Sequence, residues 1–592
     1  MNMKCSVRAG IFELLRLSSP FEIINGLVRL LRAYAKGRHF GHLTDKRYNM
    51  NLHALAETPK KLFFALLIVL TIVVFAYHIH IITFPYPSEY REGAMIQTTN
   101  ILLKGENPYA IENQPHDTNT YGIFYSVICY SFAKVFGSSL QLHRAVSGVF
   151  ILLSCLVVFL FARSGKHPLL PSFTITVILY ASLLYRVTPL VRPDSLGLFL
   201  FLLSLFVPLR YKYSLGSLFI SSLLGALAFF TKAFFLLTYP FLGSYLFFFV
   251  SKKSGIIYGV LSCIILTFSV LMVNSFSETY IANAFFIHIN LAGYHYKHVI
   301  NQLFFGVKSY AFICIFFAFA AISVLLKRWK QLHTHFTDFN LIGGLLNSLD
   351  VRDLDSPLFR SDIKCTSYYL LCAVTVFCLG VGGHGGAWMS YFYQLVSPFF
   401  LLTLLDFAGH AHIPKGYLYL MLAGIVNVSL FYMTILPHYT VRLVQGQWKQ
   451  IYEMVNRNNS ILNSPAITPV LQQQNKRVYD AGQSEYFKQS VLPKKFSFIS
   501  RYWAHDKKVT QALERSQREL VEAIKNKKYD VIVVTTNYNY TPFGAESLLP
   551  RYYDKKSTLV APMPHTGQKW LLEVWEKKSE LIPGNDDKKK MR

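Results

Sequence analysis

Glu89 and Glu92 stand three residues apart in the stretch YPSEYREGAMIQTTNILLKGENPY, residues 86–109, directly after an apolar run. On a helix that spacing sets both carboxyls on one face, where one can raise the other's pKa toward the range of a general base. Farther along come Arg144 in LHRAVSG, Arg192 and Asp194 in LVRPDSLGL, and Lys232 in FFTKAFF. NAFFIHINLAGYHYKH carries His288, His295 and His298, and GGHGGAWMSYFYQ carries His384 and Tyr391. Guanidinium and ammonium groups bind phosphate oxygens, the guanidinium bidentately. A carboxylate is the usual base for a sugar hydroxyl acting as nucleophile. Sugar transfer from a polyprenyl phosphate needs both. The phosphate leaves as an anion that cations stabilise, and a base on the opposite face of the sugar gives inversion.

These residues must be held by membrane elements. Of 592 residues, 52% are hydrophobic, 16% aromatic and only 15% charged, below the roughly 25% of soluble domains. Several apolar runs reach the roughly 17–25 residues that cross a bilayer core as a helix. We read eleven spans, at 62–84, 143–162, 168–187, 196–209, 214–231, 235–250, 256–275, 305–326, 366–383, 390–408 and 416–435. The first starts after a long basic lead without a small-residue cleavage site, so it is expected to stay as a spanning helix. With the N-terminus inside, the inward connections RSGKHP, RYKY, SKKSG, 327–365 and GHAHIPKG all carry Lys or Arg, as the positive-inside rule requires. The net charge of +27, from 59 basic and 32 acidic residues, is then a topology signal and an attraction to anionic headgroups. No stripe of cations interleaved with aromatics points to nucleic acid.

That orientation puts the acidic loop, Arg144, Arg192, Asp194 and Lys232 on one outer face. Ionisable groups at membrane depth are expensive, so their gathering marks a functional site. Residues 120–137 are apolar enough to resemble a span, but spanning there would invert every later basic loop. An interfacial helix along the outer surface is expected instead. Residues 1–61 form a basic cytoplasmic region, with a loosely amphipathic pattern over 7–36. The membrane domain runs over 62–435, with its first outer loop at 85–142. From 436 to 580 the composition becomes soluble. KRVYDAG and YDVIVVTTN look like strands, and DKKVTQALERSQRELVEAIKNKK between them has helical spacing, which together predict an extracytoplasmic α/β domain. Residues 581–592 are expected to be a disordered tail. The eight cysteines contain no CxxC and no zinc-like Cys/His spacing, so neither a disulfide framework nor structural zinc is expected.

Each candidate has a plainer role beside the chemical one. Glu89 and Glu92 can complement the dipole at a helix start, and Asp194 with Ser195 can cap the fourth span. Arg144 and Lys232 can snorkel to the interface, and Arg192 can simply pair with Asp194. His288, His295 and His298 can anchor the membrane edge or, with the acids, hold a divalent metal. No other cofactor is indicated.

The order of motifs resembles the GT-C superfamily of polyprenyl-phosphate-sugar-dependent glycosyltransferases, of the bacterial aminoarabinose transferase and protein O-mannosyltransferase type. SEYREGA followed by LLKGENPY is similar to that family's acidic first outer loop, and FAKVFGSSLQLHRAVSG to its interfacial helix and second-span Arg. RPDSLGL, TKAFF and GGHGGAWMSYFYQLVSPF follow in the family's order. The first-loop acid is usually Asp there and is Glu here, and His384 stands where relatives often carry Lys. The resemblance implies a GT-C-like fold of about eleven helices and an inverting transfer of sugar from a polyprenyl-phosphate donor. The acceptor would be a lipid, polysaccharide or protein of the cell envelope, at the outer face of the inner or plasma membrane. It implies Glu89 as base, supported by Glu92 or Asp194. Arg144, Lys232 and Arg192 would hold the donor phosphate, and His384, Tyr391 and His288 would contact substrate. A transporter or flippase of lipid-linked sugars is the main alternative, disfavoured because no repeated halves are visible and the acids sit at the outer edge. A non-catalytic scaffold would leave the mixed charge cluster without a purpose.

Overall fold

The computed structural model describes residues 46–186, 190–277, 279–286, 294–315, 318, 364–383, 392–410, 416–435, 439–481, 484, 507–536, 545–565 and 567–578. Uninterrupted Leu, Ile, Val and Phe runs make the long helices, because only a helix satisfies every backbone group within lipid. α1 spans Lys46–Thr83. It is followed by α2 (Glu92–Leu103), α3 (Phe124–Phe136), α4 (Leu140–Ser164) and α5 (Leu169–Arg186). Next come α6 (Asp194–Arg210) and α7 (Leu215–Thr231). α8 (Thr238–Tyr245) has a 3₁₀ turn before it and a π turn after it, and α9 covers Lys252–Phe276. α10 (Tyr296–Ser309), α11 (Lys364–Val381), α12 (Ser397–His410) and α13 (Gly416–Ile435) complete the helical part.

Among the described residues, four helical stretches are long and apolar enough to cross a membrane: Phe63–Thr83, Leu140–Ser164, Ala233–Val250 and Lys252–Phe276. Shorter apolar helices fall in the third, fifth, ninth, tenth and eleventh expected spans. The second half of the eighth expected span, 305–326, lies largely outside the described residues, as do the basic region before residue 46 and the tail. α3 is the helix expected within 120–137. It turns Tyr125, Cys129 and Ala133 inward and leaves Val127, Phe132, Val135 and Phe136 exposed.

The helices close around α6, which packs against α4 and α7. Without a water-driven hydrophobic term in lipid, such contacts rest on close van der Waals fit and small residues. Gly197 is one of these, since a Cβ there would lie 2.0 Å from the Phe235 ring. Gly122 is another, since its Cβ would meet the carbonyl oxygen of Phe230 at 1.9 Å. The chain at Tyr121–Gly122 therefore lies flush against the end of α7, and the Gly122 N–H donates to the Thr231 carbonyl at 3.2 Å.

The C-terminal part is a mixed sheet flanked by helices. α14 (Val441–Arg457) buries Val444, Trp448, Ile451 and Val455, one helical face. β1 (Ile461–Leu462), α15 (Thr468–Gln473), α16 (Lys507–Lys525), β2 (Val531–Thr535), α17 (Leu549–Tyr552), β3 (Tyr553–Met563) and β4 (Gln568–Lys577) follow. The strand order is β1-β2-β4-β3, with β1 parallel to β2 and the other pairs antiparallel. β2 is buried on both faces, and each of its Val and Ile side chains removed from water contributes about 1.5–3 kcal/mol. α16 and β2 fall where the sequence predicts them. The described part of KRVYDAG, residues 476–481, does not form a strand. The Asn463 carboxamide oxygen accepts from the Tyr479 and Asp480 N–H groups, and Asn463 Nδ2 and Thr468 Oγ1 donate to the Asp480 carbonyl. Side chains thus consume the backbone groups that a ladder would have used. This domain shares its apolar core with the end of α1, because Tyr77, Ile81, Phe84 and Tyr90 cluster with Tyr439, Trp448, Val470 and Trp570.

Candidate active site

α1 stops where the sequence reads Phe84-Pro85-Tyr86-Pro87, since prolines cannot continue the helical ladder. The carbonyls of Phe84 and Tyr86 are left to other donors. Arg144, in the first turns of α4, supplies them: Nη1 donates to Phe84 O at 2.6 Å and Nη2 to Tyr86 O at 2.9 Å. Nη2 also reaches Ser88 Oγ at 2.9 Å. The same guanidinium grips Glu92 with Nε–Oε1 at 2.9 Å and Nη2–Oε2 at 2.8 Å. Glu92 accepts further N–H groups from Ser88 (2.7 Å), Glu89 (3.3 Å) and Val191 (3.2 Å). Both side chains are 0% exposed. A buried ion pair is tolerated when its remaining polar atoms are satisfied in this way. This pair pins residues 84–92 to α4 and to the turn before α6.

Glu89 projects from the pinned loop and is itself buried. Its Oε2 accepts the Arg91 N–H at 3.2 Å, and Arg91 Nε lies 3.4 Å from Oε1. Arg91 Nε donates to Tyr90 Oη at 2.6 Å, and Arg91 Nη1 approaches Tyr121 Oη at 3.4 Å. Burial raises the Glu89 carboxyl pKa above its ordinary value. Arg91 and Arg192 pull in the opposite direction without cancelling that rise, to which Glu92 adds. Glu89 is thus a carboxylate held ready to accept a proton.

Next to it lies a second charge group. Lys232 sits where α7 breaks, in extended conformation, and its Nζ donates to Asp194 Oδ1 at 2.8 Å. Gln394 Nε2 reaches the same oxygen at 3.3 Å. Arg192 Nε lies 3.2 Å from Asp194 Oδ2. That contact is electrostatic only, since neither atom has an aligned hydrogen-bond partner. A buried N–H and a buried carboxylate oxygen are therefore both left for something else. Tyr121 lies between the two groups, with the Arg192 guanidinium carbon 5.9 Å and Lys232 Nζ 5.3 Å from its ring centre.

The sequence-derived candidates thus divide in two. Glu89, Arg192, Asp194 and Lys232 converge around Tyr121, whereas Glu92 and Arg144 are spent on each other and on the loop backbone. Snorkelling is excluded for Arg144 and Lys232, which are 0% and 5% exposed. Asp194 does not cap α6: Pro193 occupies the cap position and the carboxylate turns to Lys232. His288, His384 and Tyr391 lie outside the described residues. His295 and His298 are exposed at the start of α10, ring centres 5.6 Å apart. Among the described residues no group of three or more His, Cys, Asp or Glu is spaced to hold a metal ion. The site adds three residues that sequence reasoning missed, Arg91, Tyr121 and Gln394. Arg91 was the most visible, being the cation between the two glutamates.

The sequence matches no protein-family model, and comparison with curated proteins gives no match. Solved structures are similar, among them two of one protein. ArnT from Cupriavidus metallidurans bound to undecaprenyl phosphate aligns with 14% identity and a TM-score of 0.45, and the apo state with 13% and 0.46. In both cases the alignment covers 90% of this chain and 100% of the other.

Proposed function

We propose that this protein is an integral-membrane inverting glycosyltransferase. It moves a sugar from a polyprenyl-phosphate donor to a cell-envelope acceptor at the outer face of the membrane. The observation that carries this reading is the joining, through Tyr121, of a buried carboxylate of raised pKa to the Arg192–Asp194–Lys232 group, in which Arg192 Nε and Asp194 Oδ2 have no aligned hydrogen-bond partner. Outside the Glu92–Arg144 pair, the cations Arg91, Arg192 and Lys232 face the carboxylates Glu89 and Asp194. Three against two leaves one positive charge, which suits a phosphodiester anion.

In this reading Glu89 takes the proton of the acceptor hydroxyl as its oxygen bonds to the anomeric carbon. The bond from that carbon to the phosphate oxygen breaks, its electron pair stays on the phosphate, and polyprenyl phosphate leaves. Arg192 and Lys232 stabilise the growing charge, and Asp194 with Gln394 keeps both cations in place without an acid having to protonate the leaving group. Glu92 and Arg144 hold the loop and touch no substrate. For sugar and acceptor contacts the sequence offers His288, His384 and Tyr391.

The test is purified protein in liposomes, given radiolabelled polyprenyl-phosphate sugars and an envelope acceptor fraction. Label passing to the acceptor with consumption of donor supports transfer. Label that only crosses between leaflets supports the flippase alternative. No transfer from any donor sinks the reading.

A further inference from the structure

We infer that Trp570 of the C-terminal domain is a positioning residue for Glu89, so that this domain clamps the acidic loop permanently. Three elements of the domain grip residues on both sides of Glu89. On β4, the buried Trp570 ring packs against Tyr90 with centroids 4.8 Å apart. In the β3–β4 turn, the His565 N–H donates to the Ser88 carbonyl at 3.2 Å. From α15, Gln472 Nε2 donates to the Gly93 carbonyl at 2.9 Å, and the Thr468 side chain fills the space where a Gly93 Cβ would lie, at 2.6 Å. Tyr86 also stacks on Trp448 of α14, at 5.9 Å and 7°.

One of these contacts has a direct line to the candidate base. Trp570 fixes the Tyr90 ring, the Tyr90 hydroxyl holds Arg91 Nε at 2.6 Å, and Arg91 Nε stands 3.4 Å from Glu89 Oε1. The position of Glu89 and the charge beside it are thus both referred to the C-terminal domain. A domain that served only as a mobile acceptor-binding lid would have no need to share its core with the loop that carries the base. Misplacing a reacting group by about 1 Å can cost about 10²-fold in rate, so loss of the clamp should lower kcat and leave donor binding nearly intact.

The kinetic arm rests on the transfer reading; the structural arm does not. Hydrogen–deuterium exchange of the full-length protein in nanodiscs is measured for wild type, Trp570→Ala and Trp570→Phe. In Trp570→Ala the amides of residues 88–93 should exchange at least about tenfold faster while β2 stays protected, and Trp570→Phe should restore protection. Unchanged protection of 88–93 in Trp570→Ala overturns the clamp, whatever the activity. In the transfer assay, Trp570→Ala should lose about 10–100-fold in kcat with donor KM within about threefold. A loss confined to KM, or one matching only the loss of folded protein, overturns the positioning role. Tyr90→Phe keeps the ring contact and covers the case in which Trp570→Ala does not fold. Freed from the hydroxyl, Arg91 holds Glu89 less closely, so the acid limb of kcat/KM should move to higher pH. An unmoved limb with wild-type kcat overturns the relay. A wild type that transfers from no donor sinks the transfer reading alone, and exchange still decides the clamp.

Discussion

Arg144→Met separates a structural arginine from a phosphate ligand. The guanidinium makes two charge-assisted hydrogen bonds to Glu92 and reaches two carbonyls and one hydroxyl, all at 2.6–2.9 Å and without exposure. Removing one partner of a buried ion pair costs about 3–5 kcal/mol, because the other charge stays buried. The N–H groups of Ser88, Glu89 and Val191 still reach Glu92, which favours the lower end. Where water takes the arginine's place at the Phe84 and Tyr86 carbonyls the loss is about 3 kcal/mol, and where none does each carbonyl adds about 1–3 kcal/mol, for about 5–9 kcal/mol in all. Glu92→Gln should cost a similar amount by stranding Arg144. The double variant buries neither charge and should be more stable than the sum of the singles implies, by about 1–3 kcal/mol. Unfolding of all four proteins in nanodiscs, followed by tryptophan fluorescence, gives the cycle. The reasoning is refuted if Arg144→Met unfolds at the wild-type midpoint while its KM for a polyprenyl-phosphate donor rises tenfold or more.

Lys232→Met removes the cation on Asp194 Oδ1, and kcat/KM for the donor should fall about 10²-fold, the usual worth of one preorganised donor. Steady-state kinetics check this, and a fall under threefold contradicts a phosphate role for Lys232. Asp117, which accepts from Gln97 Nε2 at 3.0 Å, has its carboxyl pushed up to about 6, chiefly by burial. The folded chain therefore holds this proton more tightly than the unfolded one, and stability is lost as pH rises from about 4 through about 6. Asp117→Asn should remove that slope and stabilise the protein at pH 7 by about 1–2 kcal/mol, discounted for partial exposure. Melting midpoints at pH 5 and pH 7 measure it, and equal slopes for variant and wild type contradict the assignment.

Membrane helices were legible because apolar runs specify them locally, and the residues of the site were legible because charges are conspicuous there. What each charge does was not, because it depends on contacts between distant segments. Arg144 lies 52 residues from Glu92, and only the Phe84-Pro85-Tyr86-Pro87 stretch explains why its remaining donors go to backbone carbonyls. Tyr121 and Gln394 carry no charge to draw notice, and they join the site through the close approach at Gly122 and through a contact spanning 200 residues. In the C-terminal domain, KRVYDAG has strand-like residues but loses its backbone groups to Asn463. The β3–β4 hairpin was missed although Trp570, Leu572 and Val574 alternate with outward-facing residues, a period-2 signal open to sequence reasoning.

The central claim, that Glu89 accepts the acceptor's proton, is tested most directly by single-turnover transfer at saturating polyprenyl-phosphate sugar. Wild type, Glu89→Asp and Glu89→Gln are compared, with donor affinity measured separately. Glu89→Gln should lose about 10²–10⁴-fold in the rate of transfer with donor affinity within about threefold. Glu89→Asp should keep part of the rate, and the acid limb of the wild-type pH profile should lie above the ordinary carboxylate range. A Glu89→Gln protein that transfers sugar at the wild-type rate would contradict the account.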